Sequence, residues 1–325
     1  MIKKRQNGFT LVELLIALVL GLVLISGIIS VFLEGRRNFT QDERISRVQE
    51  NGRYALRLLS RELMMNGFMG GVIDLSKVDT LTPADACLQW LLSPEPIFEV
   101  YNQADGNEDG AFDCLPSDVA EDTDLLAVKR ASDDPLVRLG EWETGFGAFV
   151  ADQYYLRSDN GGLGDTEIDI GTAMTADVGN IVNVSSEADV WEFYARLFYI
   201  GEENGYPSLC MRSLKANQGA SQRCQVNGIE DFQLELGLDT DNDGSVDTFV
   251  SDSTDDIGGG VAIDQVMMYR IYVLARSLEE DTNFDPLTRT FQLGDHNYVT
   301  PTDRYYRRMF ETTVQRNNQV FTAFQ

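Results

Sequence analysis

FTLVELLIALVLGLVLISGIISVFL, residues 9–33, is the stretch whose reading decides the fold. It holds 25 positions and one charge, Glu13, and a helix of that length crosses a bilayer whose hydrocarbon core needs about 20 residues. A carboxylate inside a membrane helix costs roughly 3 kcal/mol on insertion scales and is retained where it meets a partner, which singles out Glu13. Lys3, Lys4 and Arg5 stand just before the run, and short basic flanks stay cytoplasmic, so residue 34 onward is expected outside. Arg36 and Arg37 oppose that orientation mildly. A secretory signal would show a shorter apolar core followed by a small-residue cleavage site. Here Gly8 lies between the basic leader and the apolar run, so a cut after Gly8 leaves the whole helix on the mature chain.

The segment Lys3-Lys4-Arg5-Gln6-Asn7-Gly8-Phe9-Thr10-Leu11-Val12-Glu13-Leu14 resembles the class III leader of type IV prepilins. The resemblance implies that a membrane prepilin peptidase cuts between Gly8 and Phe9 and methylates the new amino group of Phe9. It also implies that Glu13 pairs with the N-terminal amine of a neighbouring subunit. In a core of low dielectric an ammonium and a carboxylate attract strongly, and either one left alone is heavily penalised.

Beyond the apolar run Ile45, Val48, Ala55, Leu56, Leu59 and Leu63 recur at helical spacing, and Asn66-Gly67 closes the pattern. A helix from Thr10 to Asn66 would be roughly 85 Å long at 1.5 Å per residue, so its outer half must pack on something. After Gly67 short β-rich runs alternate with Gly, Asp and Asn turns. Strands are expected over 124–130, 191–200, 232–238, 266–275 and 305–314, with residues 87–114 and 152–179 as turn-rich insertions. The fold class is therefore α+β: a long N-terminal transmembrane and amphipathic helix packed on an antiparallel, β-rich globular domain. The domains read as leader 1–8, helix 9–66 with 9–33 in the membrane, and an exported domain 67–325. Two later stretches, Val266 to Ser277 and Tyr305 to Asn317, are similar to the PilW group of minor pilins.

The chain has 52 acidic against 26 basic side chains, a formal charge of −26, which repels nucleic acid and anionic lipid. Its four cysteines fit an oxidising compartment and allow three pairings, of which the two local ones, Cys87 with Cys114 and Cys210 with Cys224, close the shortest loops. Asp239, Asp241, Asp243, Ser245 and Asp247 surround Gly244 at the spacing of an EF-hand calcium loop. Asp105, Asn107, Asp109, Ala111 and Asp113 repeat it, with the position of Ala111 offering a backbone carbonyl. Alternate carboxylates converge on a hard cation, so calcium is the expected ligand, and no organic cofactor is implied. Neither loop is complete, because Val250 and Pro116 stand where the motif has a bidentate Glu. The plain alternative is two solvated turns rich in Asp, Asn and Gly. The absence of His and Cys from these loops disfavours zinc.

No nucleophile elbow or phosphate-binding glycine loop occurs, and the single histidine, His296, reads as a structural residue in an exposed loop. The chain therefore reads as an assembly protein and not an enzyme. The resemblance implies a minor pilin that helps initiate or cap a type IV pilus, held in the inner membrane with its domain in the periplasm and then carried on the fibre. Implied partners are the prepilin peptidase, other minor pilins, the major pilin, the inner-membrane assembly platform and a large tip adhesin, with no nucleic acid. The alternative is a minor pseudopilin of type II secretion.

Overall fold

A computed structural model describes residues 10–70, 72, 78–80, 90, 92–93, 98–104, 119–136, 153–159, 168–172, 188–215, 219–251, 265–282 and 284–317. The chain divides into two units, residues 1–47 and 48–325. The described part of the first is helical throughout and exposes its apolar residues from Leu11 to Leu33. Among the described residues this is the one helix long and apolar enough to cross a membrane.

Helix α1 is a single element, Leu11–Met64, matching the expected bounds to within two residues. Its last turns bury Val48, Gly52, Ala55, Leu59, Glu62 and Leu63, the 3.6-residue repeat that carries a helix onto a core. Gly67 stops it by taking φ +76°, a left-handed conformation open to a residue without Cβ. Its amide then donates to the Lys129 carbonyl at 3.2 Å, so the helix exit is tied directly to the sheet.

Fourteen strands follow among the described residues: β1 Val78–Thr80, β2 Phe98–Ala104, β3 Thr123–Ala131, β4 Tyr154–Asp159, β5 Ile168–Thr172, β6 Ala188–Glu203, β7 Tyr206–Lys215, β8 Gly219–Asn227, β9 Ile229–Leu238, β10 Thr248–Val250, β11 Val266–Arg276, β12 Thr290–Leu293, β13 His296–Val299 and β14 Arg307–Gln315. The larger sheet runs β1-β5-β4-β6-β3-β2, with β7 pairing both β6 and β8. The second runs β10-β9-β11-β14, and β12 with β13 forms a separate hairpin. Pairing is antiparallel except between β1 and β5.

All five expected strands are present. The segments read as insertions are not insertions, because β2 pairs β3 and β4 and β5 extend the sheet beyond β6. Their short apolar stretches carry little period of their own, and a long neighbouring strand supplies the ladder that recruits them. Every residue of β3 is buried, which requires cover on both faces of the sheet. One contiguous core joins Val48, Ala55, Leu59 and Leu63 of α1 to Leu126, Val128, Phe198, Phe232 and Ile271.

The close approach of α1 to β14 depends on Gly52, where an added Cβ would overlap the ring of Phe310. Replacing Gly52 with Leu should therefore destabilise the fold by about 1–3 kcal/mol through overpacking, read as a lower midpoint in denaturant titration of the full chain.

Candidate functional site

Three groups of polar residues follow from the sequence reading. The first is the start of α1. Thr10 caps the helix: its backbone N–H and hydroxyl donate to Glu13 Oε2 at 2.9 and 3.0 Å, and the Glu13 amide donates back to Thr10 Oγ1 at 3.3 Å. This is a reciprocal capping box, and its signature Thr-x-x-Glu was legible in the sequence although the charge of Glu13 drew all the attention. Glu13 thus has a role inside its own chain before any partner arrives. Gly8 and Phe9 lie outside the described residues.

The second is the acidic loop joining β9 to β10. The ladder pairs Leu238 with Thr248, so the nine residues between them form a hairpin connection. Asp239, Asp241 and Asp247 each turn one carboxylate oxygen inward so that the three lie within 4.8 Å of one another. Asp239 is buried, and its oxygens accept from the amides of Asp243 at 3.1 Å and Gly244 at 2.8 Å. Asp243 instead accepts from the amide of Ser245 at 2.7 Å. Asp247 accepts from both the amide and the hydroxyl of Thr240 at 2.7 Å, and those bonds, side chain first, hold its carboxyl below the usual range. Positive φ at Asn242, +59°, and Gly244, +87°, makes the sharp turns. Of the proposed set, three carboxylates converge, whereas Asp243 and Ser245 cap the turn. The other loop, Asp105, Asn107, Asp109, Ala111 and Asp113, lies outside the described residues.

The third is the cysteines. Cys210 on β7 and Cys224 on β8 are bonded, at partnered positions with Cα atoms 3.8 Å apart. Cys87 and Cys114 lie outside the described residues.

Charged groups missed by the sequence reading occupy the sheet. Glu62, 2% exposed, meets Arg130 at 3.1 Å and also Arg196, both projecting from the larger sheet. Both guanidinium groups contact the Tyr194 ring, their central carbons 4.8 and 4.4 Å from its centroid. Burial, aided by the bond to Glu192, pushes the Tyr194 hydroxyl up to about 12. A glutamate at an apolar position of the helix repeat was the available signal for this cluster. On the opposite face of β3, Lys129 donates to the Ser93 carbonyl at 3.0 Å and sits 3.8 Å above the Trp90 ring, while the Trp90 indole donates to Glu99 at 2.7 Å.

His296 is also relocated. It is not in an exposed loop but starts β13, with its side chain 12% exposed and Nε2 3.6 Å from Asp231 Oδ2. Burial pushes the Asp231 carboxyl up to about 7, with Glu230 and Asp122 adding to the rise. Nearby, Arg307 forks onto both Glu230 and Asp303, which binds β14 to β9 across β11. Glu230, Arg276, Arg307 and Asp303 are paired with one another around the core, as structural ion networks are, whereas Asp231 Oδ2 is buried without a hydrogen bond.

Residues 197–318 match the family described as Type IV Pilus-assembly protein W, and residues 3–29 match the Prokaryotic N-terminal methylation motif. A segment similar to PilW thus lies behind a segment similar to the N-methylation motif. The PilW match begins within β6 and runs through β14, so it covers the whole of the second sheet and the Cys210–Cys224 hairpin. The two matches together support a type IV pilus minor pilin, a structural rather than enzymatic family. Comparison with curated proteins and with solved structures returned no match.

Lys129 makes the stability of the fold depend on pH in a defined direction. Its buried ammonium is pushed down to about 7, burial being the main cause and the Glu99 charge opposing it. The unfolded chain, with lysine near 10.4, binds the extra proton between those values, so stability should rise with pH across about 7 to 10, by at most about 1.4 kcal/mol per unit. Replacing Lys129 with Met should flatten that slope in denaturant titrations at pH 7, 8.5 and 10. An unchanged slope would remove Lys129 as its source.

Proposed function

We propose that the chain is processed between Gly8 and Phe9, enters a type IV pilus through α1, and helps to initiate or cap the fibre. The observation that carries this reading is the N-methylation motif at residues 3–29 ahead of a PilW region. A long exposed apolar helix that begins at Leu11 and a β-rich domain held by a disulfide support it. Assembly is then a matter of packing. The apolar segment leaves lipid for the equally apolar core of the fibre, and Glu13 is the one charge that must be compensated on the way. The Thr10 bonds already take part of that load, and the ammonium of a neighbouring Phe9 completes it.

Mass spectrometry of the protein from membranes should find N-methyl-Phe9 as the first residue. Recovery of Met1 at the start would overturn the reading. Glu13→Ala should still insert into the membrane but fall several-fold in sheared fibres. Normal incorporation would show that the charge is dispensable.

Calcium is proposed at Asp239, Asp241 and Asp247, whose converging oxygens supply three of the roughly six to eight ligands such an ion takes, with backbone carbonyls and water for the remainder. The same spacing at residues 105–113 gives a second candidate. An ion that binds the folded loop alone stabilises by about 2.7 kcal/mol when present at 100 times Kd. Millimolar calcium should therefore raise the melting temperature of the full chain in detergent, and Asp241→Ala with Asp247→Ala should reduce the rise. A melting temperature indifferent to calcium would leave the loop as a capped turn.

A further inference from the structure

The outward face of α1 over the globular unit carries Arg53, Arg57 and Arg61, four residues apart and all exposed. At about 100° per residue the three project within an arc of about 80°, opposite the buried stripe of Val48, Ala55 and Leu59. They form a single row with charges about 6 Å apart along the axis.

Such a row is unfavourable by itself. Like charges at i, i+4 destabilise a helix by about 0.2–0.5 kcal/mol per pair, and this row contains two such pairs. Elsewhere on the same helix arginines have acidic neighbours at the right spacing, Glu34 with Arg37 and Glu43 with Arg47. Exposed Glu50 lies in the same arc, three positions before Arg53, and offsets that end of the row. Arg57 and Arg61 have no acidic residue three or four positions away, and among the described residues none of the three makes an ion pair. Proximity to the negative end of the helix accounts for Arg61 alone.

The neighbours on the face indicate the kind of partner. Tyr54 is 48% exposed and Met64 36%, and both fall on or beside the arginine arc. Arginine with tyrosine and methionine, without lysine, is the composition of protein interfaces, where a planar guanidinium binds carboxylates in bidentate fashion. A nucleic acid or an anionic membrane offers phosphates to the same row, but the formal charge of −26 repels an extended polyanion. A protein partner needs only a local group of carboxylates.

We propose that Arg53, Arg57 and Arg61, flanked by Tyr54 and Met64, form a docking row for an acidic helix of a neighbouring subunit, with Asp or Glu at every fourth position. The proposal rests on the pilus reading, and the tests separate the two. The first uses the full chain in detergent micelles and a fluorescent helical peptide with Glu at every fourth position. Wild type should bind the peptide at low salt and release it as salt rises. Arg53→Glu with Arg57→Glu and Arg61→Glu should bind at least tenfold more weakly, and the triple Arg→Lys variant should fall between. The melting temperature of each variant, expected to fall by no more than a few degrees because all three side chains are exposed, separates lost docking from lost folding.

The second test counts each variant in sheared fibres, where the Glu variant should be depleted at least fivefold. Peptide binding equal in wild type and the Glu variant would overturn the proposal. So would tighter binding of a 20-base-pair DNA duplex than of the peptide, which would assign the row to nucleic acid. If wild type itself is missing from fibres the pilus reading fails, and the peptide result still decides the docking row.

Discussion

The carboxylate of Glu62, held between Arg130 and Arg196, is the contact on which the arrangement of helix and sheet depends. A charge that is 2% exposed survives only where opposite charge meets it, so this position along α1 must face these two strands. Sliding or rotating the helix by one residue would strand three charges in the core. The apolar contacts of Val48, Ala55, Leu59 and Leu63 supply the larger share of the driving force but tolerate small shifts, because they have no direction. The ion cluster supplies the register.

From that fixed point the strands fall into place. Gly67 ends the helix and passes its amide to β3, Arg130 reaches back to the helix, and Lys129 on the other face clamps Ser93 and Trp90. The second sheet joins through Asp124, which accepts from the Leu234 amide at 2.7 Å, and through Phe310 over Gly52. Its far end is closed by Arg307 between Glu230 and Asp303. The acidic hairpin after β9 therefore projects from a sheet that is anchored at both ends, and a cation there would act on a rigid support.

The sequence reading recovered the helix, the five principal strands and the second disulfide. It misjudged β2, β4 and β5 as insertions, since residues such as Phe98-Glu99-Val100 and Tyr154-Tyr155-Leu156 are too short to declare a period without a partner strand. It put His296 in solvent because Gly294-Asp295 reads as a turn, which it is, and nothing local reveals that the next residue packs against Asp231. The reciprocal bonds of Thr10 and Glu13 were written in the spacing of those residues and were passed over in favour of the charge alone.

What the sequence determined by itself is local along the chain. A run of apolar residues long enough to cross a membrane forms a helix here, a glycine stands between basic and apolar stretches, and Asp-x-Asp-x-Asp-Gly folds into a capped turn from hydrogen bonds within nine residues. What only the tertiary structure decided is which distant groups share a buried volume: Glu62 with Arg130 and Arg196, Lys129 with Trp90, Asp231 with His296. It also decided which arginines were left outside. Burial multiplies the strength of an electrostatic contact several-fold by removing water, and the depth at which a side chain ends up is a property of the packed sheets and helix, not of its neighbours in sequence.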